Sequence, residues 1–341
     1  MRAVVTTGHG GLDKLEYRED VPVPDPEADE VLVKVSACGL NNTDIWVRQG
    51  AYGTAKDPDA VTGTGRTPHQ FPLIQGGDVV GCVEKVGATE NEHLIGQRVL
   101  CNFMTYECVD GEVRYSGSLG NSRDGGYAEY VTVPVSTTYP VDVDWSDAEL
   151  ATIPCAYMTA EHMLETAAVS AGETVLVTGA SGGVGTALIQ LAHAREARVI
   201  AVTSTAKRSD VETLNPESIV DRTNHSEWCS LTESIDVVAD VVAGGNFSIL
   251  LDTLKMRGRY VTAGAIGGAV VPFDVRTLYL KSLIFYGVSV GMPSHFERVL
   301  KLIEAGQIRP LLHKTYPLSD IHKAQTDFMN KIFFGNLVVV P

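Results

Sequence analysis

Hydrophobic and polar positions along this chain follow two rhythms, and the change falls near Asp147. Before it lie short strand-like runs at 3–6, 31–36, 79–86, 98–102 and 128–133, separated by Gly, Pro and Asp as in VPVPDPEADE. Short strands punctuated in this way predict an irregular antiparallel barrel or sandwich. After Asp147, apolar β-branched runs at 175–178, 199–203, 219–221, 237–242, 260–263 and 283–288 alternate with stretches of helical period. Alternating β and α units predict a doubly wound parallel sheet, so the chain reads as α/β with a second, β-rich domain. An amphipathic helix over 295–305, a helix over 319–330 and a closing strand over 336–340 follow, placed as a return to the first domain.

One stretch organises the second half, ETVLVTGASGGVGTALIQL, residues 173–191. A buried-strand pattern leads into Gly179, Ser181, Gly182, Gly183, Val184 and Gly185, and a helical pattern leaves it. Glycine permits positive φ and close backbone approach, and the helix that follows offers unpaired N–H groups at its positive end. That geometry suits the pyrophosphate of a dinucleotide. The next strand ends about where such a fold meets the adenosine ribose, and an NAD site would place Asp or Glu there. This chain has Thr203, Ser204, Thr205, Ala206, Lys207 and Arg208 instead. Small hydroxyls leave room for a 2′-phosphate and two cations can neutralise it, so NADPH is expected over NADH. The plainer account of Lys207 and Arg208 is that they solvate the next helix.

Composition narrows the class. The 341 residues suffice for two domains, and 44% hydrophobic with 20% charged residues is a globular balance. A net charge of −15 argues against nucleic acid and anionic membrane as partners. No apolar run reaches the roughly 18 residues that span a bilayer, and MRAVVTTGHG has no signal-peptide core, so a cytoplasmic location is expected. Cys38, Cys82, Cys101, Cys108, Cys155 and Cys229 form no CxxC pair and read as reduced thiols, most of them buried. The apolar segment LYLKSLIFYGVSV, 278–290, falls at the expected sheet edge. Such an edge is normally paired or covered.

Five segments in register, VLVKVSACGLNNTD, QGGDVVGCVEKVG, GGYAEYVTVP, TVLVTGASGGVG and GNLVVVP, resemble the medium-chain dehydrogenase/reductase superfamily over essentially the whole chain. The resemblance implies a GroES-like catalytic domain over 1–148, a Rossmann NADP-binding domain over 149–290 and a C-terminal return over 291–341. It also implies a homodimer joined at the sheet edge. Zinc members of the superfamily hold their catalytic metal at positions that are Asn41, Gly77, Asp78 and Cys155 here. An amide, a missing side chain, a short carboxylate and one thiol do not make a tetrahedral N/S site. The lobe that carries structural zinc in those relatives offers only Cys101 and Cys108. No metal is therefore expected; His69, Asp78, Cys155 and His162 are the residues from which an unorthodox site would have to be improvised.

The segment LNNTDIWVRQGAYG resembles the zinc-independent branches. The quinone oxidoreductase pattern GLNxxDxxxRxGxY is matched by Gly39, Leu40, Asn41, Asp44, Arg48, Gly50 and Tyr52. The enoyl thioester reductase pattern NPSDI…QGxY is matched by Asn41, Asp44, Ile45, Gln49, Gly50 and Tyr52, with Asn42 and Thr43 replacing Pro and Ser. Both comparisons single out Asn41 and Tyr52 as catalytic. Hydride addition to an activated double bond or quinone builds negative charge on a carbonyl oxygen, which neutral donors stabilise and a phenol or water can protonate. The alternatives are pocket lining for Tyr52 and a turn residue for Asn41. Asp44 is expected to anchor the turn, and Arg48 to hold substrate or pair with a carboxylate. The polar insertion GTAKDPDAVTGTGRTPHQ after Tyr52 is expected as a surface loop at the substrate mouth.

By the same resemblance Thr159 lies near the nicotinamide, and Gly182 to Val184 meet the pyrophosphate. Ala263, Gly264, Ala265, Gly287, Val288 and Ser289 pass beside the ribose and carboxamide, and Lys331 reaches the 2′-phosphate. The function implied is zinc-independent, NADPH-dependent reduction of quinones or activated C=C bonds in a small-molecule substrate. An alcohol dehydrogenase acting on an aldehyde or ketone, and a non-enzymatic NADPH-binding protein, are the alternatives.

Overall fold

Each of the six apolar runs in the second half forms a strand, and all six lie parallel in one sheet. Its order is Ser218–Asp221, Arg198–Thr203, Thr174–Val177, Ile235–Asp240, Leu254–Thr262, Ile284–Gly287. In chain order that is 3-2-1-4-5-6, the doubly wound order that reverses direction beside the first strand. The strands Thr174–Val177 and Arg198–Thr203 are almost wholly buried, because helices cover a parallel sheet on both faces. The helix Gly183–His193 contributes Ala187, Leu188, Ile189, Leu191 and Ala192 to that core.

The computed structural model describes residues 1–51 and 69–341. They divide into two compact units, one of residues 1–155 with 312–341 and one of residues 156–311. These bounds differ from those expected at 149 and 291. The stretch 291–311 stays with the nucleotide-type sheet because its helix, Pro293–Glu304, packs there: the rings of His295 and His162 stack at 4.5 Å.

In the first unit a seven-stranded, mainly antiparallel sheet is built around Glu30–Gly39, which pairs with Asp78–Val86 and Tyr130–Pro134. The closing strand Asn336–Val340 joins the same sheet, placing Val338 opposite Gly39. The chain's end therefore returns to the first unit. Leu312–Pro317 lies parallel to that closing strand. The lobe after Cys101 is a plain two-stranded ribbon, Met104–Val109 with Glu112–Ser118.

All six cysteines are free thiols, but the expectation that most are buried fails: Cys82, Cys108 and Cys229 are exposed. Cysteine's apolar character does not override position on an outward-facing strand or short helix. No helix among the described residues is long and apolar enough to cross a membrane.

Candidate active site

Asn41 stands where the strand Glu30–Gly39 gives way to the helix Asn42–Gln49. Its backbone is extended, and its N–H donates to the Asp44 carboxylate at 2.7 Å, the reciprocal contact that starts a helix. Gly50, at φ 71°, ends that helix in the left-handed conformation that glycine adopts without strain. The same Asp44 oxygen accepts from the Tyr127 hydroxyl at 2.8 Å, and Gln75 donates to the Asp44 carbonyl at 2.9 Å. Burial raises the Asp44 pKa to about 6, opposed by the donors Asn41, Tyr127 and Gly76. Asp44 thus anchors the turn.

The Asn41 side chain reaches across to Asp78. Its Nδ2 donates to Asp78 Oδ2 at 2.9 Å, while the Cys155 backbone N–H donates to Oδ1 at 2.9 Å. Asp78 opens its strand directly opposite Gly39, where a Cβ would lie 2.2 Å from the Ala151 carbonyl oxygen. Glycine lets the two strands and that carbonyl close around the carboxyl group. Burial pushes the Asp78 pKa up to about 8; the neighbouring Asp44 charge adds to this, and the donors Asn41 and Cys155 oppose it. A small cavity is lined by Asn41, Thr43, Asp44, Asp78, Phe103 and Cys155. A carboxamide has two donor hydrogens, so Asn41 can serve Asp78 and still offer one to an oxygen in that cavity.

Among the described residues, no three His, Cys, Asp or Glu side chains gather as a metal-holding group. Cys155 borders the cavity, whereas His162 bonds the Ser289 and Val290 carbonyls in the second unit. Arg48 is a structural residue. It is 1% exposed, and its guanidinium donates to the Gly10 carbonyl at 2.8 Å and to Gln325 at 2.9 Å. Lys331 donates to Asn42 Oδ1 at 2.9 Å and lies over the Phe328 ring, all within the first unit. Tyr52 and nearly all of the polar insertion lie outside the described residues.

In the second unit the glycine turn sits at the carboxyl end of the central strand. Gly179 has φ 58°, and a Cβ on Gly185 would lie 2.1 Å from the Gly179 carbonyl oxygen, so the helix can begin there only without a side chain. A Cβ on Gly182 would meet nothing nearer than 3.6 Å, which leaves a concave face before the first N–H groups of Gly183–His193. These N–H groups have no acceptor within the helix. The cradle fits a pyrophosphate, with Ser181 and Val184 half-buried at its rim.

Asp240, one strand over, is fully buried; it accepts from Thr178 and Tyr260 hydroxyls at 2.5 Å each and from the Val242 N–H at 2.8 Å. It fixes the strand ends beside the turn. Ala263, Gly264 and Ala265 follow the next strand, with the Ala263 N–H on the Asp240 carbonyl. Gly287 ends the edge strand, and Val288 and Ser289 follow it; the Val288 N–H meets the Thr262 carbonyl, and the Ser289 carbonyl meets His162 on the helix that carries buried Thr159. Parallel strands bring these loops to one end of the sheet, where ligands of doubly wound folds bind.

Thr203 is buried, Ser204 half-buried, and Lys207 closes the short turn Thr205–Lys207. Arg208 turns to the Ile219 carbonyl at 2.5 Å and toward Glu227 at 3.6 Å. Asp78, Tyr127, Gln75 and Asp240 complete the two sites without having been read as functional. Asp78 was visible only as a failed metal position, and the other three carry no local signal because their partners are distant in sequence.

The family model described as alcohol dehydrogenase GroES-like domain matches residues 27–143, and that described as zinc-binding dehydrogenase matches 183–305. The chain is 31% identical to the quinone oxidoreductase of Lama guanicoe, over 100% of this chain and 97% of the relative. It is 31% identical to the acryloyl-coenzyme A reductase of Metallosphaera sedula, over 99% of each. Among solved structures, a Sinorhizobium meliloti protein provisionally named an alcohol dehydrogenase superposes with TM-score 0.93 at 50% identity, covering 100% of this chain and 96% of that one. A thermostable alcohol dehydrogenase from Pyrobaculum aerophilum with bound cobalt and zinc gives 0.85 at 29%, over 100% and 99%. A mycobacterial protein in complex with NADPH gives 0.81 at 25%, over 100% of both. With two family models in chain order and relatives about 30% identical over the whole chain, the chain belongs to the medium-chain dehydrogenase/reductase superfamily and to its quinone oxidoreductase and enoyl reductase-like branch.

Proposed function

We propose that this oxidoreductase uses NADPH to reduce quinones or activated carbon–carbon double bonds, with Asn41 rather than a metal meeting the substrate oxygen. What carries the reading is the contact between Asn41 Nδ2 and Asp78. Where zinc relatives place donors of the N/S type, this chain has an amide whose orientation is held by a buried carboxyl group. NADPH, when bound, supplies the hydride. Asn41 orients the acceptor oxygen and stabilises the charge that builds on it. Asp44, Tyr127 and Gln75 hold the Asn41 turn still. The glycine turn, Thr203, Ser204 and Lys207 would hold the dinucleotide. Tyr52 is proposed as the proton donor and the insertion after it as the selector of substrate. The mycobacterial neighbour's NADPH and the quinone oxidoreductase and acryloyl-coenzyme A reductase names support this choice.

The alcohol dehydrogenase reading is favoured by the name of the 50% identical neighbour. Metal analysis with assays of quinones, enals and simple alcohols separates the two. Quinone or enal turnover by metal-free protein is expected; stoichiometric zinc with alcohol turnover would overturn the proposal.

We also propose a cytoplasmic homodimer. The free thiols fit a reducing compartment. The edge strand Ile284–Gly287 pairs on one side only among the described residues, with Tyr279, Leu280 and Met256 exposed nearby. A second copy of the same edge is the partner that satisfies it.

A further inference from the structure

Thr203 pairs in parallel register with Asp221, and one residue on, the Arg222 N–H donates to the Thr203 carbonyl at 2.9 Å. Arg222 therefore starts beside the Thr203–Ser204 corner, where a doubly wound fold places the adenosine ribose. Its own carbonyl accepts from Trp228 Nε1 at 3.3 Å and Asn246 Nδ2 at 3.4 Å, which pins its backbone. Its side chain is exposed, and among the described residues its guanidinium makes no hydrogen bond or ion pair.

The neighbouring charges are committed differently. Arg208 is occupied by the Ile219 carbonyl and Glu227. Asp221 accepts from Thr205 Oγ1, from the Thr223 N–H at 2.8 Å and from Thr223 Oγ1 at 2.6 Å. These donors hold its pKa well below the usual carboxylate range. A carboxylate so occupied is poorly placed to take the two ribose hydroxyls that an NADH site binds. Burial lowers the Lys207 pKa; repulsion from Arg222 adds to this, against a pull from Asp210. Lys207 and Arg222 thus repel one another at the corner, Asp210 acts on Lys207 alone, and Asp221 is already bound to hydroxyls.

Resting on the NADPH reading above, we infer that Arg222 is a specificity-determining residue, forming with Lys207 the cation pair that takes the adenosine 2′-phosphate, while Arg208 braces the loop. Two cations flanking a dianion give charge-assisted hydrogen bonds to an anion that is otherwise costly to desolvate.

Calorimetry with the full chain tests it, using 2′,5′-ADP and 5′-AMP as probes, together with the NADPH/NADH ratio of kcat/KM. Arg222→Ala should weaken 2′,5′-ADP roughly 10- to 100-fold while 5′-AMP stays within about 2-fold, as loss of a charged hydrogen bond predicts. Arg222→Lys should recover part of the difference. Equal weakening of both probes would mean that Arg222 stacks on adenine, and overturns the inference. So would Arg208→Ala discriminating against 2′,5′-ADP more than Arg222→Ala does. Wild-type protein that binds both probes alike and prefers NADH would instead bring down the NADPH reading itself, and this assignment with it.

Discussion

The Asn41 carboxamide donates to the Asp78 carboxyl group at 2.9 Å, joining the first residue of a strand to the turn ahead of a helix 37 positions earlier in the chain. Asn41→Ala removes the amide from the cavity and leaves the fold its Cys155 contact on Asp78. With an enal or quinone, kcat is expected to fall about 100-fold or more, the usual cost of losing a preorganised donor to a developing oxyanion. KM should change little, while the melting temperature should fall modestly, since buried Asp78 loses one donor and the helix its capping residue. Unchanged kcat would remove Asn41 from the mechanism.

Asp44 and Asp78 make stability pH-dependent in a known direction. Both folded-state pKa values, about 6 and about 8, lie above the ordinary value of 3.8, with burial the first cause in each. Below that ordinary value both groups are protonated in the folded and unfolded chains alike, and their full contribution to stability is present. As pH rises, the unfolded chain releases both protons first, so stability is lost through about pH 6 and again toward about pH 8. Asp78→Asn should flatten the second part of the loss in denaturant titrations between pH 6 and 9. Parallel curves for the two proteins would contradict it.

Gly185 admits no side chain, since a Cβ would stand 2.1 Å from the Gly179 carbonyl oxygen. Gly185→Ala should cost roughly 1–3 kcal/mol, as overpacking typically does, and displace the turn. Dinucleotide binding, followed by nicotinamide fluorescence, should fall by more than the stability loss accounts for.

Arg48 ties the first helix to Gln325, on the helix Ile321–Asn330 of the returning chain, and to the Gly10 carbonyl. Arg48→Met should cost about 2–4 kcal/mol, because buried acceptors lose charged donors. Activity per folded molecule should hold, measured after correcting for the folded fraction.

Ile284 is 44% exposed on the edge strand. In the proposed dimer, Ile284→Lys should shift the light-scattering mass from dimer toward monomer, since a lysine on an edge opposes strand pairing. A wild-type monomer would refute the dimer directly.

The periodicity of this chain determined its architecture. Six apolar β-branched runs with helical stretches between them admit few arrangements besides a doubly wound sheet, and a glycine run after the first strand marks the turn at its ligand end. Asn41 and Asp44 were legible through the family pattern they match, and the turn they form is local, three residues apart. Tertiary structure decided the rest. The partners of Asp78 are Asn41 and Cys155, those of Asp44 include Tyr127 and Gln75, and those of Asp240 are Thr178 and Tyr260. Hydrogen bonds between residues so far apart have no period and no spacing to read, and it is chiefly burial in the folded chain that raises the pKa values of Asp44 and Asp78. Arg208 and Arg222 show the same limit: both are cations near one strand end, and only the folded loop reveals which guanidinium is already occupied.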